Sequence, residues 1–222
     1  VAAPAAASSP AYAAEVDAIK TSQANLTDAQ RKAIAYWSGG GVLRWNQIVR
    51  ELVARYNLPP APSDQGGYPV PDAENPFGDP AFPFANPVYA VRAYSYVSAA
   101  QYDALKAAWY WKFQYNRLSP AKNDAGVKAL IPISDLPSYP SEDAVISGVT
   151  VEMLKVLFPA SLEEITLKAT EQRNAALWSG KATASDLAAG LALGKSVATV
   201  FLARAAGDGM RTAGGSPALW KS

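Results

Sequence analysis

Apolar residues recur at every third or fourth position along most of the chain, which is the spacing of one face of a helix. The pattern is plainest between Val42 and Tyr56, and it predicts a helix there. No stretch alternates apolar and polar residues over six positions, as a half-buried strand would. We therefore predict an all-α protein built as a helical bundle. The predicted helices are 28–37, 42–56, one or two within 87–112, then 142–158, 162–178 and 186–206.

Residues that cap helix N-termini mark where most of these helices begin. A Ser, Thr or Asn side chain at that position accepts a hydrogen bond from a free backbone N–H of the first turn. A Glu or Gln three residues later completes a capping box. The candidate caps are Thr27 with Gln30, Asn86, Ser141, Ser161 with Glu164, and Ser185.

Two regions show no helical period. Residues 59–87 hold nine of the 17 prolines and predict a long Pro-rich loop, whose aromatic residues indicate that it packs onto a surface. Residues 1–24 are rich in Ala, Ser and Pro and begin without an initiator Met, which is typical of an exported protein whose signal peptide has been removed. We expect a mature N-terminal segment at 1–24, a single domain at 25–222, and a secreted, periplasmic or cell-surface location.

The composition excludes several classes of function. Lys and Arg number 20 against 19 Asp and Glu, and no basic cluster offers a surface for nucleic acid. The chain has no Cys and no His, which excludes Ser-His-Asp and Cys-His catalysis and the HExxH metalloproteases. The apolar stretch 187–203 is interrupted by Lys195, so we interpret it as a buried core helix and predict no transmembrane segment.

Three segments carry a set of residues in a recognisable order. The first has Lys112 with Pro120 eight residues later, the second reads Pro-Ser-Tyr-Pro-Ser from Pro137, and the third runs from Ala175 to Asp186. They resemble the motifs K-x6-R-P, P-S-G-H and S-R-x5-H-x3-D of the superfamily of type 2 phosphatidic acid phosphatases, bacterial acid phosphatases and vanadium-dependent haloperoxidases. The resemblance is to the secreted bacterial branch and extends over most of the chain. It implies the helical bundle of that superfamily, in which related chains continue further at the C-terminus.

The residues that carry the superfamily's chemistry are replaced here. In the superfamily, the histidine of the third motif attacks phosphorus or binds vanadate, while Lys and two Arg hold the oxyanion. Ser119 and Ala176 stand at the two arginine positions. Asp143 and Ala182 stand at the two histidine positions. The resemblance thus implies a vestigial pocket of Lys112, Ser119, Ser141, Asp143, Ala176, Ala182 and Asp186.

These substitutions predict a loss of catalysis. Two missing arginines weaken oxyanion binding by about two to four orders of magnitude, and Ala182 supplies no nucleophile. We therefore expect a catalytically degenerate protein that holds no cofactor and acts as a secreted binding or structural protein. The alternative is an active phosphomonoesterase or a haloperoxidase with vanadate as its cofactor, whose chemistry uses other residues of the chain.

The charges of the vestigial pocket give a further expectation. A buried ammonium group needs a partner, so we expect Lys112 to pair with Asp143 or Asp186, with a solvent-exposed Lys112 as the alternative. Glu142 and the two aspartates could instead bind a hard metal ion, and Ser141 could be a nucleophile, although these residues also suit a helix start. As partners we expect a homo-oligomer or a larger protein assembly, and no nucleic acid.

Overall fold

The computed structural model describes residues 1–56, 64–67 and 87–210, and within these residues it contains no strand. The helices, in chain order, are α1 (Pro10–Ala24), α2 (Asp28–Trp37), α3 (Gly41–Tyr56), α4 (Pro87–Tyr115), the short α5 (Pro120–Asn123), α6 (Glu142–Leu157), α7 (Leu162–Trp178) and α8 (Ala184–Ala206), with a 3₁₀ turn at Pro159–Ser161. The all-α prediction is confirmed. The Asn86 cap and most of the predicted Pro-rich loop lie outside the described residues.

Helix α6 lies at the centre of the bundle. Most of its residues are buried, from Asp143 in the first turn to Leu157 in the last, because α8, α4 and α7 pack around it. A helix that is apolar on nearly all sides is stable only where other helices cover those sides, as α8, α4 and α7 do here. Helix α4 approaches closely because Ala100, Ala104 and Ala108 present only methyl groups to the core, each at 0% exposure.

Helix α8 packs against α6 through a face of small residues. Gly190, Gly194 and Ala198 are buried on that face, whereas Lys195 and Val200 are exposed. Among the described helices, α8 is the one long and apolar enough to cross a membrane, by length and composition alone. The predicted core helix is therefore buried on one face rather than on all sides.

Residues 1–24, to which the sequence analysis assigned no element, contain helix α1. The Ser9 hydroxyl caps it by accepting a hydrogen bond from the N–H of Tyr12 at 3.2 Å. Tyr12, Val16 and Ile19 share one face of α1 and are buried with Val127 in a small second core. The N-terminal segment is thus packed onto the bundle.

Two of the predicted helix caps are confirmed. The Thr27 hydroxyl accepts a hydrogen bond from the N–H of Gln30, and the Gln30 side chain accepts one from the N–H of Thr27 at 2.8 Å. The Ser141 hydroxyl accepts from the N–H of Ala144 at 3.4 Å, so this side chain caps α6.

Of the other two predicted caps, Ser185 is wrong, and Ser161 stands at the N-cap of α7 as predicted but without the capping box. Helix α8 is capped by Thr183 rather than Ser185, because Thr183 forms a capping box with Asp186 three residues later. Ser161 makes no capping hydrogen bond to α7, so the predicted box there is not formed. Its hydroxyl is instead 2.9 Å from the hydroxyl of Tyr56, which ties the start of α7 to the end of α3.

Candidate functional site

The three motif segments meet at one end of the bundle. The first ends α4, the second leads into α6, and the third connects α7 to α8. Backbone hydrogen bonds join them. The N–H of Ser138 donates to the carbonyl oxygen of Arg117 at 2.8 Å, and the N–H of Ser141 donates to that of Asp186 at 2.9 Å. Residues far apart in the sequence therefore form one buried cluster.

All seven residues of the expected pocket are buried in this cluster, from Asp186 at 0% to Asp143 at 7% exposure. Six of them border two small cavities. The smaller cavity, of about 20 Å³, is lined by Lys112, Ser119, Ser141 and Ala182. The larger cavity, of about 90 Å³, is lined by Asp143 and Ala176. Lys181 borders both cavities, and Asp186 lies outside them.

Lys112 occupies the last turn of α4 and is only 3% exposed. Its amine donates a hydrogen bond to the carbonyl oxygen of Pro137. Neither Asp143 nor Asp186 pairs with it, because each carboxylate pairs with a different cation. The expected ion pair of Lys112 is therefore wrong, and so is the alternative that it points into solvent. Burial lowers the pKa of this amine because the charged form loses its hydration.

Asp143 pairs with Lys181 instead. The Lys181 amine lies 2.7 Å from one carboxylate oxygen of Asp143, and the Gln172 side chain donates to the other at 3.3 Å. Burial alone would lower the pKa of Lys181, but the adjacent Asp143 carboxylate raises it above its usual value. The amine is therefore held in its charged form by a partner within the chain.

Asp186 pairs with Arg117. The guanidinium lies 3.6 Å from the Asp186 carboxylate, which also accepts a hydrogen bond from the N–H of Thr183 at 2.7 Å. Burial raises the pKa of Asp186, and Arg117 opposes that rise. The guanidinium carbon is 4.5 Å from the ring centre of Tyr12 and 5.7 Å from that of Tyr139. Arg117 is thus enclosed by α1 on one side and the second motif on the other.

The sequence analysis missed the two cations that hold these carboxylates. Arg117 lies two residues before the motif position occupied by Ser119, and Lys181 directly precedes Ala182. Each therefore lies one or two residues from a position where the superfamily has a functional residue. That adjacency is a signal in the sequence, although it does not reveal which carboxylate each cation reaches.

A metal site is not favoured at this end of the bundle. Within the described residues, no group of three or more Asp or Glu side chains is placed to hold a metal ion. Glu142 instead accepts a hydrogen bond from the indole of Trp109, and the two aspartates carry the ion pairs described above. Glu142 and Asp143 also lie in the first turn of α6, where the helix dipole favours negative charge.

Burial of Lys112 predicts a pH dependence of stability. Because its pKa is lowered in the fold, the unfolded chain binds more protons between that lowered pKa and the ordinary value of 10.5. This residue should therefore make the fold more stable as pH rises toward 10.5. Urea unfolding from about pH 7 to about pH 10 should show this gain, and Lys112→Met should remove it.

The exposed Lys195 on α8 provides the matched control for that experiment. The variant Lys195→Met should keep the pH dependence of the parent chain. If Lys112→Met retains the same gain in stability with pH, the ammonium group of Lys112 is not desolvated in the way described.

The helix packing and the position of the site define the class of fold: this is the all-α fold of the vanadium-dependent haloperoxidases. In particular, the chain is similar to a solved structure described as the first bacterial vanadium-dependent iodoperoxidase, with a TM-score of 0.67 and 16% sequence identity. The match covers 91% of this chain and 51% of that one, so this chain spans about half the length of that protein. No protein-family model and no curated protein matches the chain.

The residues of the site do not fit a vanadate ion. A cavity of about 20 Å³ beside Lys112 has room for about one water molecule, and an anion with four oxygens needs several times that volume. The side chain of Ala182 is a methyl group and offers no atom that could coordinate the metal. The two cations nearest this cavity, Lys112 and Lys181, are engaged by Pro137 and Asp143.

Proposed function

We propose that this chain is a catalytically degenerate protein with the haloperoxidase fold, and that it acts as a secreted binding or structural protein. The observation that carries the proposal is the Lys181–Asp143 ion pair beside Ala182. A cation that would attract an oxyanion is neutralised by a carboxylate of the same chain. The superfamily's nucleophile position holds a methyl group.

The charge balance of the whole cluster supports the proposal. Transfer of a phosphoryl or similar group depends on fixed positive charge around the oxyanion. Among the described residues of the cluster, Arg117 and Lys181 each have a carboxylate partner, and the Lys112 amine donates to a carbonyl oxygen. A carboxylate at about 4 Å from an oxyanion repels it by about 4 kcal/mol per pair of charges at an effective dielectric near 20. The charges of the cluster therefore disfavour binding of an oxyanion such as phosphate or vanadate.

The proposal predicts that the chain neither binds nor turns over tetrahedral oxyanions. Calorimetric titration with vanadate, tungstate and phosphate should show no saturable binding up to millimolar concentrations. A chromogenic phosphate ester, and iodide with peroxide and vanadate, should show no turnover above the rate without protein. Saturable vanadate binding by the unaltered chain, or turnover in either assay, would overturn the proposal in favour of an active enzyme.

A variant pair tests the physical reason directly. Asp143 and Lys181 also border the larger cavity of about 90 Å³. Asp143→Asn releases Lys181 from its carboxylate there, so this variant should gain measurable affinity for tungstate or phosphate in that cavity even though catalysis stays absent. Asp208 pairs with Arg92 near the start of α4 and beyond the end of α8, at the opposite end of the bundle, so Asp208→Asn should leave anion binding unchanged. If both variants behave alike, Asp143 does not control the charge of the pocket.

A further inference from the structure

Helix α4 carries large side chains that face away from the bundle. Tyr102, Trp109, Tyr110 and Phe113 are 64%, 46%, 62% and 63% exposed, and Lys106 lies exposed among them. Spacings of three and four residues place all five on one face of the helix, which we call the aromatic stripe. The opposite face of α4 packs into the core. Large apolar patches of this kind on a folded chain mark interaction surfaces.

We propose that the aromatic stripe is the contact surface between two copies of this chain, which pair antiparallel about a two-fold axis level with residues 107 and 108. Such an interface uses the same patch on both copies, so it must be complementary to itself. In this register Tyr102 lies opposite the partner's Phe113, and Lys106 lies opposite the partner's Trp109. Both pairings are favourable, as an aromatic contact and a cation–π contact.

The position of Lys106 within one chain agrees with this register. Its amine lies 5.5 Å from the ring centre of Tyr102, so the ammonium group already lies along the aromatic surface. The only charge of the stripe itself is then next to aromatic rings in both copies. With the two-fold axis level with residues 107 and 108, the two Lys106 side chains do not face each other. An axis level with residue 106 would place the two ammonium groups opposite one another.

The area of the stripe is that of a weak, concentration-dependent dimer. An aromatic side chain carries on the order of 200 Å² of surface, and about half or more of each ring is exposed here. Full burial of the stripe therefore supplies on the order of 500 Å² per copy, or about 1,000 Å² when two copies meet. That total lies just below the range of about 1,200–2,000 Å² that stable interfaces bury.

A membrane surface is a poorer match to the same residues. Helices that lie on membranes carry several Lys or Arg beside their apolar face. Lys106 is the single basic residue of the stripe, and the exposed Asp103 beside it cancels its charge. A second copy of the chain needs no such charge, so we assign the stripe to self-association.

Sedimentation analysis over a concentration series tests the proposal. The chain should reach twice its mass of 23.4 kDa, and the double variant Tyr102→Glu, Phe113→Glu should remain a monomer with unchanged helical circular dichroism. Val200 on α8 is 68% exposed, so Val200→Glu is the matched control and should still dimerise. A chain that stays monomeric at all concentrations, or that instead binds lipid vesicles through the stripe, overturns the proposal.

Spin labels test the antiparallel register. The chain contains no Cys, so Ala99→Cys and Val91→Cys each introduce a single labelling site on the outer face of α4. With a rise of 1.5 Å per residue, the antiparallel pair places the two labels about 25 Å apart along the helices at residue 99 and about 50 Å apart at residue 91. Equal distances at the two sites would show a parallel pair and overturn this register.

Discussion

Replacing Gly194 with alanine is expected to lower the free energy of unfolding by about 3 kcal/mol or more, and to lower the Tm by at least about 6 °C. A Cβ at this position would lie 2.9 Å from the backbone nitrogen of Val149 and closer still to the carbonyl oxygen of Val145. Both atoms belong to the backbone of α6, which cannot rotate aside as a side chain can. Helices α6 and α8 would therefore have to separate, opening the centre of the core.

The control for this prediction makes the same chemical change at the end of the same helix. Gly207 follows the last residue of α8, and a Cβ there would have its nearest neighbours, Ala203 O and Arg204 O, at 4.0 Å. Gly207→Ala should therefore change the free energy of unfolding by no more than about 0.5 kcal/mol. Urea unfolding followed by circular dichroism measures both variants. A Tm of Gly194→Ala within about 2 °C of the parent would contradict the close approach of α6 and α8.

The sequence predicted the helices whose signals are local. The capping box of Thr27 and Gln30 needs only residues three apart, and it forms as expected. The start of α8 was misplaced because Thr183 and Ser185 are both good caps, and the choice depends on Asp186 pairing with Thr183. Helix α1 was missed because its buried face has only three large apolar residues, Tyr12, Val16 and Ile19, within an Ala-rich segment. Their spacing of four and three residues is helical, but two turns of such spacing are a weak signal without the bundle they pack against.

The position of the candidate site was also predicted from the motifs, but its ion pairs were not. The resemblance implies that Asp143 and Asp186 lie in one pocket with Lys112, and charge balance alone assigns the two carboxylates to that lysine. The fold instead directs the Lys112 amine to the carbonyl oxygen of Pro137. It brings Lys181 to Asp143 and Arg117 to Asp186 across separations of 38 and 69 residues. Pairings over such distances depend on how helices pack, which no local pattern encodes.

Replacing Arg117 with methionine is expected to destabilise the fold by about 3–5 kcal/mol. The substitution removes the cation beside Asp186, whose side chain is 0% exposed. The Asp186 carboxylate would remain buried without its charged partner. A buried unpaired charge destabilises the folded state far more than a buried ion pair does. The guanidinium also covers the ring of Tyr12, so the contact of α1 with the bundle should loosen. Urea unfolding at neutral pH measures the loss, and hydrogen exchange should locate it in α1 and the start of α8.

A second substitution distinguishes charge from packing. If the cost comes from the unpaired carboxylate, adding Asp186→Asn to Arg117→Met should recover at least about 1 kcal/mol, because the amide can still accept the capping hydrogen bond from Thr183 without carrying charge. If the cost comes from lost contacts with Tyr12 and Tyr139, the double variant should be no more stable than Arg117→Met. Lys122→Met breaks an ion pair with the fully exposed Asp135 and should leave the free energy of unfolding nearly unchanged. Recovery in the double variant would show that Asp186 needs Arg117 because a buried carboxylate needs a cation beside it. The same requirement explains why Lys181 pairs with Asp143 and is not available to an external anion.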